Sequence, residues 1–245
     1  KNIHRAVGTR LSHYIYKQNK KEKNKKNFIT VNLSGSAGQS LGAFGIEGLK
    51  INVTGDANDY VGKGLSGAVI TIRPPIESNL ITDQNTIIGN TVLYGATSGK
   101  LFAAGQCGER FAVRNSGAEA VVEGCDSNGC EYMTGGCVVI LGKIGDNFAA
   151  GMTGGMAFVY DPLNEFDMYV NPSSVIWQNV ETTYWKNFLE NLIKEHLQET
   201  SSKIAGKILE NFDEEYKNFK QVCPKEMLNK LSNPISLKKN ISKAV

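Results

Sequence analysis

A step of one residue and a glycine recurs along the chain at a nearly constant interval, each time ahead of a short apolar run. The steps are Glu47-Gly48, Ser66-Gly67, Ser98-Gly99, Ser116-Gly117, Gly135-Gly136 and Gly154-Gly155. Their second glycines, Gly48, Gly67, Gly99, Gly117, Gly136 and Gly155, lie 19, 32, 18, 19 and 19 residues apart, so one interval carries an insertion and the others agree. The runs that follow, among them Leu49-Lys-Ile-Asn-Val53, Ala68-Val-Ile-Thr-Ile72 and Cys137-Val-Val-Ile-Leu141, are rich in β-branched residues and suit short stacked strands. A period near twenty, with glycine at the corner and a strand after it, marks a β-solenoid. No 3.6-residue period runs through residues 35–161, which disfavours a helical repeat; an antiparallel sandwich is the alternative.

The expected fold is therefore an all-β solenoid, a right-handed single-stranded β-helix with an N-terminal helix and a C-terminal helical extension. Ile3, Val7, Leu11 and Ile15 recur at steps of four and predict a short amphipathic helix over residues 3–16 that caps one end of the stack. Residues 1–29 read as this helix plus a Lys/Asn-rich loop, 30–172 as the β-helix, 173–231 as the helical extension and 232–245 as a flexible tail. The insertion falls at 73–88, where Pro74-Pro75 removes two ladder donors and ends a strand. Beyond Asp161 glycine nearly vanishes. One helix is expected with Thr182 or Thr183 as N-cap and Tyr184, Phe188, Leu192, His196 and Leu197 on one face. A second is expected after Ser201-Ser202, from Ile204 through Phe219 to Pro224.

The net charge of +3 conceals an asymmetry, because nine of the 27 Lys and Arg residues and only one of the 24 acidic ones lie in residues 1–30. The excess centres on Lys17–Asn27, which interleaves no aromatic for base stacking and shows no apolar face for a membrane; a solvated loop is expected there, and neither nucleic acid nor membrane as a partner. Cys107, Cys125, Cys130, Cys137 and Cys223 are too few and too irregular for a disulfide framework and lack a CxxC pair with a nearby histidine. They read as buried thiols in a reduced compartment, with no metal site.

Catalytic signals are sparse. The three histidines, His4, His13 and His196, all lie outside the repeats, so Ser-His-Asp and Cys-His arrangements find no base there. Asp56, Asp59, Asp126 and Asp146 sit ahead of corners, where stacking could bring carboxylates together as in a polysaccharide lyase, but Asp-Asn and Asp-Ser steps are also ordinary turn formers. Gly62-Lys-Gly64 lacks the following helix that a phosphate loop needs. Arg110 and Arg114, within Glu109-Arg-Phe-Ala-Val-Arg-Asn-Ser-Gly117, call for partners such as Glu109, Glu123, Glu131 or Asp126 in an inter-turn ion ladder, or for another domain docked on them.

Taken in order, Gly35–Phe44, Gly55–Gly67, Ile88–Gly99, Glu109–Gly117, Gly129–Gly136 and Asn147–Gly155 closely resemble the C-terminal GXGXG β-helix domain of the glutamate synthase large subunit. The likeness spans roughly residues 3–160 and reaches weakly into Val222-Cys-Pro-Lys225; the Lys/Asn insert and the lysine tail depart from it. The resemblance implies a non-catalytic structural domain that positions glutaminase and synthase domains for glutamate formation from glutamine and 2-oxoglutarate. It further implies FMN and an iron–sulfur cluster in other domains and none in this chain, an NAD(P)H or ferredoxin donor, possible association with a NAD(P)H-oxidising small subunit, and a cytoplasmic or plastid location. Under this reading no catalytic, cofactor-binding or metal residue is assigned, and Arg110, Arg114, Glu131 and Tyr132 are expected as interdomain or inter-turn contacts. A self-standing interaction subunit, resembling the repeat subunit of formylmethanofuran dehydrogenase, is the alternative.

Overall fold

The computed structural model describes residues 1–21 and 28–236. Of the solvated loop expected at 17–27, Lys17–Lys21 instead continue the first helix and the rest lies outside the described residues; of the flexible tail expected at 232–245, Ile235 is buried and its carbonyl oxygen accepts from Gln178 Nε2 at 2.7 Å, and 237–245 lie outside the described residues. In chain order the elements are α1 (Thr9–Lys21), β1 (Ile29–Ala37), β2 (Leu49–Ala57), β3 (Ser66–Arg73), β4 (Thr86–Ile88), β5 (Ser98–Ala103), β6 (Gln106–Cys107), β7 (Ser116–Val122), β8 (Thr134–Ile140) and β9 (Gly154–Tyr160). There follow β10 (Val175–Asn179), α2 (Thr183–Thr200), α3 (Lys203–Glu210), α4 (Phe212–Glu215) and β11 (Phe219–Pro224).

Strands β1, β2, β3, β5, β7, β8 and β9 stack in parallel, one above the next, in a solenoid of about seven turns. The pairing is parallel from β1 to β9, so the sandwich alternative falls. The insertion supplies β4, whose Ile88 sits between Ala57 and Cys107 in a second, shorter parallel column. Stacking places like residues over like: Val31, Ile51, Ile70, Leu101, Ala120, Val138, Ala157 and Val222 form one continuous apolar column. All but the first are fully buried, which at about 25 cal/mol per Å² makes such columns the main source of stability. Gly48 stands just before its strand and the other repeat glycines one or two residues inside theirs, where successive turns come closest. At Gly99, φ is +101° and an added Cβ would lie 2.5 Å from the Ala68 carbonyl oxygen of the turn before.

The ends depart from the sequence expectations. Helix α1 begins only at Thr9; residues before it imitate a solenoid corner, with Ala6 at φ 53°, its N–H donating to Gln39 O, and Ile3 74% exposed. Ile15 alone of the expected helical stripe is completely buried. The second C-terminal helix stops at Glu210, where Asn211 leaves the helical region, and Phe219 lies in a strand instead. The run Phe219-Lys-Gln-Val-Cys alternates as well as it fits a helical step, and pairing decides: β11 inserts antiparallel between β9 and β10 and closes the stack. Ser202 caps α3 by accepting from Ala205 N–H at 3.1 Å, whereas the Thr182 hydroxyl makes no capping bond to α2. The buried face of α2 is Leu189, Leu192, Ile193, His196 and Thr200, while Tyr184 stays 47% exposed.

Candidate functional site

The corner that follows each parallel strand is built from residues of left-handed conformation at steps of two: 40, 42 and 44 in the first, then 60, 62 and 64; 91, 93 and 95; 110, 112 and 114; 128, 130 and 132; 147, 149 and 151. Their φ values run from 53° to 65°, and most are not glycine. A left-handed residue with a Cβ costs about 1–2 kcal/mol. Hydrogen bonds between turns offset it. In the fourth corner Arg110 N–H donates to Ser127 O at 2.9 Å, Ala112 N–H donates back to Val92 O at 2.9 Å, and Arg114 N–H donates to Glu131 O at 3.0 Å. The first, second, third and fifth corners repeat this alternation of forward and backward donors, and in the sixth Ala149 N–H donates back to Gly129 O while Phe148 N–H donates forward to Tyr169 O, so the backbone is locked turn to turn.

A consequence is that side chains on the corner's outer side stand on a rigid grid. Phe44 and Tyr132, both more than half exposed, lie over Gly64 and Gly151 of the following turns; a Cβ would meet their rings at 2.7 Å and 2.5 Å. Between them opens a groove of about 760 Å³, bordered by Tyr60, Tyr94, Arg110, Arg114, Glu131 and Tyr132. Arg110, Arg114, Glu131 and Tyr132, singled out from the sequence, thus converge on one surface. The ion ladder expected for the two arginines is not what holds them: among the described residues neither guanidinium has an ion pair or a hydrogen bond, and both are exposed. Lys63 rests over the Tyr60 ring, 5.7 Å from its centroid. Two of the four aspartates are held by backbone donors: Asp59 Oδ1 accepts from Asn90 N–H of the next turn at 2.8 Å, and Asp126 Oδ1 from Ser127 N–H of its own turn at 2.7 Å.

The sequence reading missed the outer face of the parallel sheet, where α2 lies across successive turns. Glu199 pairs with Lys50 at 2.7 Å and accepts from Thr71 Oγ1 at 3.1 Å, while Lys100 bridges Glu195 at 2.6 Å and Glu119 at 3.2 Å. Partial burial opposes the charge of Lys100, but the two carboxylates outweigh it and raise its pKa. Glu123 points the other way from the arginines: completely buried, it accepts from Ser202 Oγ at 2.5 Å and stands 3.8 Å from His196 Nε2. Burial lowers the pKa of His196 against the opposing pull of Glu123. An acceptor with this spacing to the α3 N-cap has no helical or strand period to announce it.

All five cysteines are free and buried. Desolvation raises each thiol pKa, for Cys125 to about 12, so they behave as packing groups and not as nucleophiles. Among the described residues no group of three or more His, Cys, Asp or Glu side chains is arranged to hold a metal, and no helix is long and apolar enough to cross a membrane.

Glycine-stepped strands, left-handed corners and one stacked sheet define a parallel β-solenoid that presents a fixed surface of side chains. The chain belongs to the GXGXG motif family, which it matches over residues 1–225. It is similar to the glutamate synthase [NADPH] large chain of Azospirillum brasilense, with 59% identity over 242 residues, 99% of this chain and 16% of that protein. Glutamate synthase [NADH] of Schizosaccharomyces pombe is 49% identical over 92% of this chain, and the ferredoxin-dependent glutamate synthase of Pyropia yezoensis 50% identical over 91%. The chain spans only 11–16% of the length of these relatives.

Proposed function

We propose that this chain is the structural GXGXG domain of a glutamate synthase, packing against the glutaminase and flavin/iron–sulfur synthase domains and fixing their relative placement. The carrying observation is the corner face: two arginines whose guanidinium groups have no partner among the described residues stand beside exposed tyrosines on a backbone locked by inter-turn hydrogen bonds. Aromatic and arginine side chains on a rigid base are what a protein interface recruits. The relatives named for NADPH, NADH and ferredoxin share this region, which suits a role common to all three and independent of the electron donor. In this reading FMN and the cluster sit in the other domains, and Arg110, Arg114, Glu131 and Tyr132 touch those domains. Ammonia released at one site and used at another must be kept from water, so a stiff spacer contributes without doing chemistry.

The test replaces Arg110 and Arg114 together by Glu in the full-length protein. Glutamine-dependent glutamate formation is expected to fall at least tenfold, with the glutaminase reaction retained and the two activities uncoupled. Unchanged coupling in a folded variant would refute the corner face as the docking surface.

A further inference from the structure

The solenoid's N-terminal end carries a second recognition feature, independent of the corner groove. β1 is nine residues long and, among the described residues, pairs only with β2. Ile29 N–H donates to Gly48 O across that pairing. Because parallel ladders alternate, the N–H and C=O groups of Thr30, Asn32, Ser34 and Ser36 point away from β2. These four residues are exposed, and Ile29, Val31 and Leu33, which face the stack, are only half-buried.

Long edges of this kind are ordinarily blunted by lysine, proline, a bulge or a short strand. β1 has none of these: Ile29-Thr-Val-Asn-Leu-Ser-Gly-Ser-Ala37 holds no charged residue and no proline, and its register with β2 is unbroken. An edge left so open is built to be paired.

We propose that β1 accepts a further parallel or antiparallel strand from the remaining part of the same polypeptide, adding one rung to the solenoid by backbone hydrogen bonding. The occupant's chemistry follows from the edge: an extended segment with apolar residues at alternate positions, which continue the columns ending in Val31 and Leu33, and small or polar residues between them. Two observations favour the same polypeptide over a second copy. The matched relatives carry most of their length outside the region this chain covers. Residues 2–8 also lie at this end, with the Asn2 and His4 carbonyl oxygens against Gly38 and Val7 O accepting from Gly42 N–H, so polypeptide already packs against the corner that follows β1. The inference rests on the placement within a larger glutamate synthase, but it uses a surface distinct from the corner groove.

Amide hydrogen exchange at single-residue resolution on the full-length protein decides it. A free edge gives alternation, with Val31 and Leu33 protected and Thr30, Asn32 and Ser34 exchanging fast. A paired edge protects the even residues too, by at least a hundredfold over the alternating pattern. Protection that persists across a hundredfold dilution supports the intramolecular strand; protection lost on dilution assigns the edge to a second copy and overturns the proposal, as does alternation. Ser34→Pro, which removes an outward donor and leaves the β2 ladder intact, is expected to abolish protection at Asn32 while Val31 stays protected. The arginine test above reads coupling, so either result can fail without the other.

Discussion

At its C-terminal end the solenoid closes on itself, with β11 inserted antiparallel between β9 and β10, whereas at its N-terminal end β1 presents a nine-residue edge that no described strand joins. The two ends guard the same liability differently. The closing strand ends in Pro224, its neighbour β10 is only five residues long and follows Pro172, and Trp177 on β10 is fixed by Asp167 at 2.7 Å and by the Phe166 ring. Short strands and prolines make a poor template for another chain. β1 has neither, and α1 reaches over the mouth of the stack through Ile15 and Ser12 without pairing with β1. One end is finished within the chain; the other offers the edge that the proposed strand would pair.

The apolar column that begins at Val31 and ends at Val222 allows the ends to be compared with one residue type. Val222 is fully buried beside Ala157, and Val222→Ala is expected to cost about 2–3 kcal/mol in urea unfolding. Among the described residues no strand pairs with β1 on the side of Val31 away from β2, and Val31→Ala is expected to cost less than half as much in this chain. In a full-length protein whose β1 edge is covered, the gap between the two should close. Equal costs in this chain would break the distinction between an open and a closed end.

That contrast also separates what the sequence displays from what it hides. The strands β2, β3, β5, β7, β8 and β9 are legible because the apolar run of each follows a glycine that close stacking requires, and the column register follows from their spacing. β1 is preceded by no such step, and β11 is ambiguous until β9 and β10 offer it partners. The corners are hidden for a different reason. Phe44, Tyr60, Arg110, Arg114 and Tyr132 have no intrinsic preference for φ > 0, and only hydrogen bonds to neighbouring turns impose it. Hence Arg110, Arg114, Glu131 and Tyr132 could be named as candidates, but not the groove they share or the absence of the expected ladder among the described residues.

A pH measurement sharpens the contrast from the middle of the molecule, where the α2–α3 junction is clasped to the stack through Glu123, Ser202 and His196. Burial holds His196 neutral in the folded chain, with its pKa below the ordinary value near 6.5. A histidine whose folded pKa is lowered binds its proton more readily when unfolded. Its contribution is therefore fully present above about pH 6.5 and is lost as pH falls below that value toward the lowered folded pKa. Glu123 is the carboxyl that faces the ring and Phe102 the aromatic, 6.1 Å away. Stability should decline between pH 7 and pH 5, and His196→Gln should flatten that decline by the histidine's share. An identical slope in the variant would remove His196 as its source.

The smallest effect lies where α2 reaches back toward the open end. Trp185 near the start of the helix packs on Phe158 of β9, and Glu199 near its end meets Lys50 of β2, so α2 ties the closed end of the stack to the open one. The Lys50 and Glu199 side chains remain 36% and 25% exposed. A pair so accessible is screened by solvent and salt, and Glu199→Gln should cost no more than about 1 kcal/mol at low ionic strength and less in high salt. The substitution keeps an acceptor for Thr71 Oγ1, so what it removes is the ion pair. Its consequence should be local: amides of β2 exchange faster, those of β8 and β9 do not. Uniform loosening along the stack would instead mean that α2 transmits stability between the ends, and the two would have to be treated as one cooperative unit.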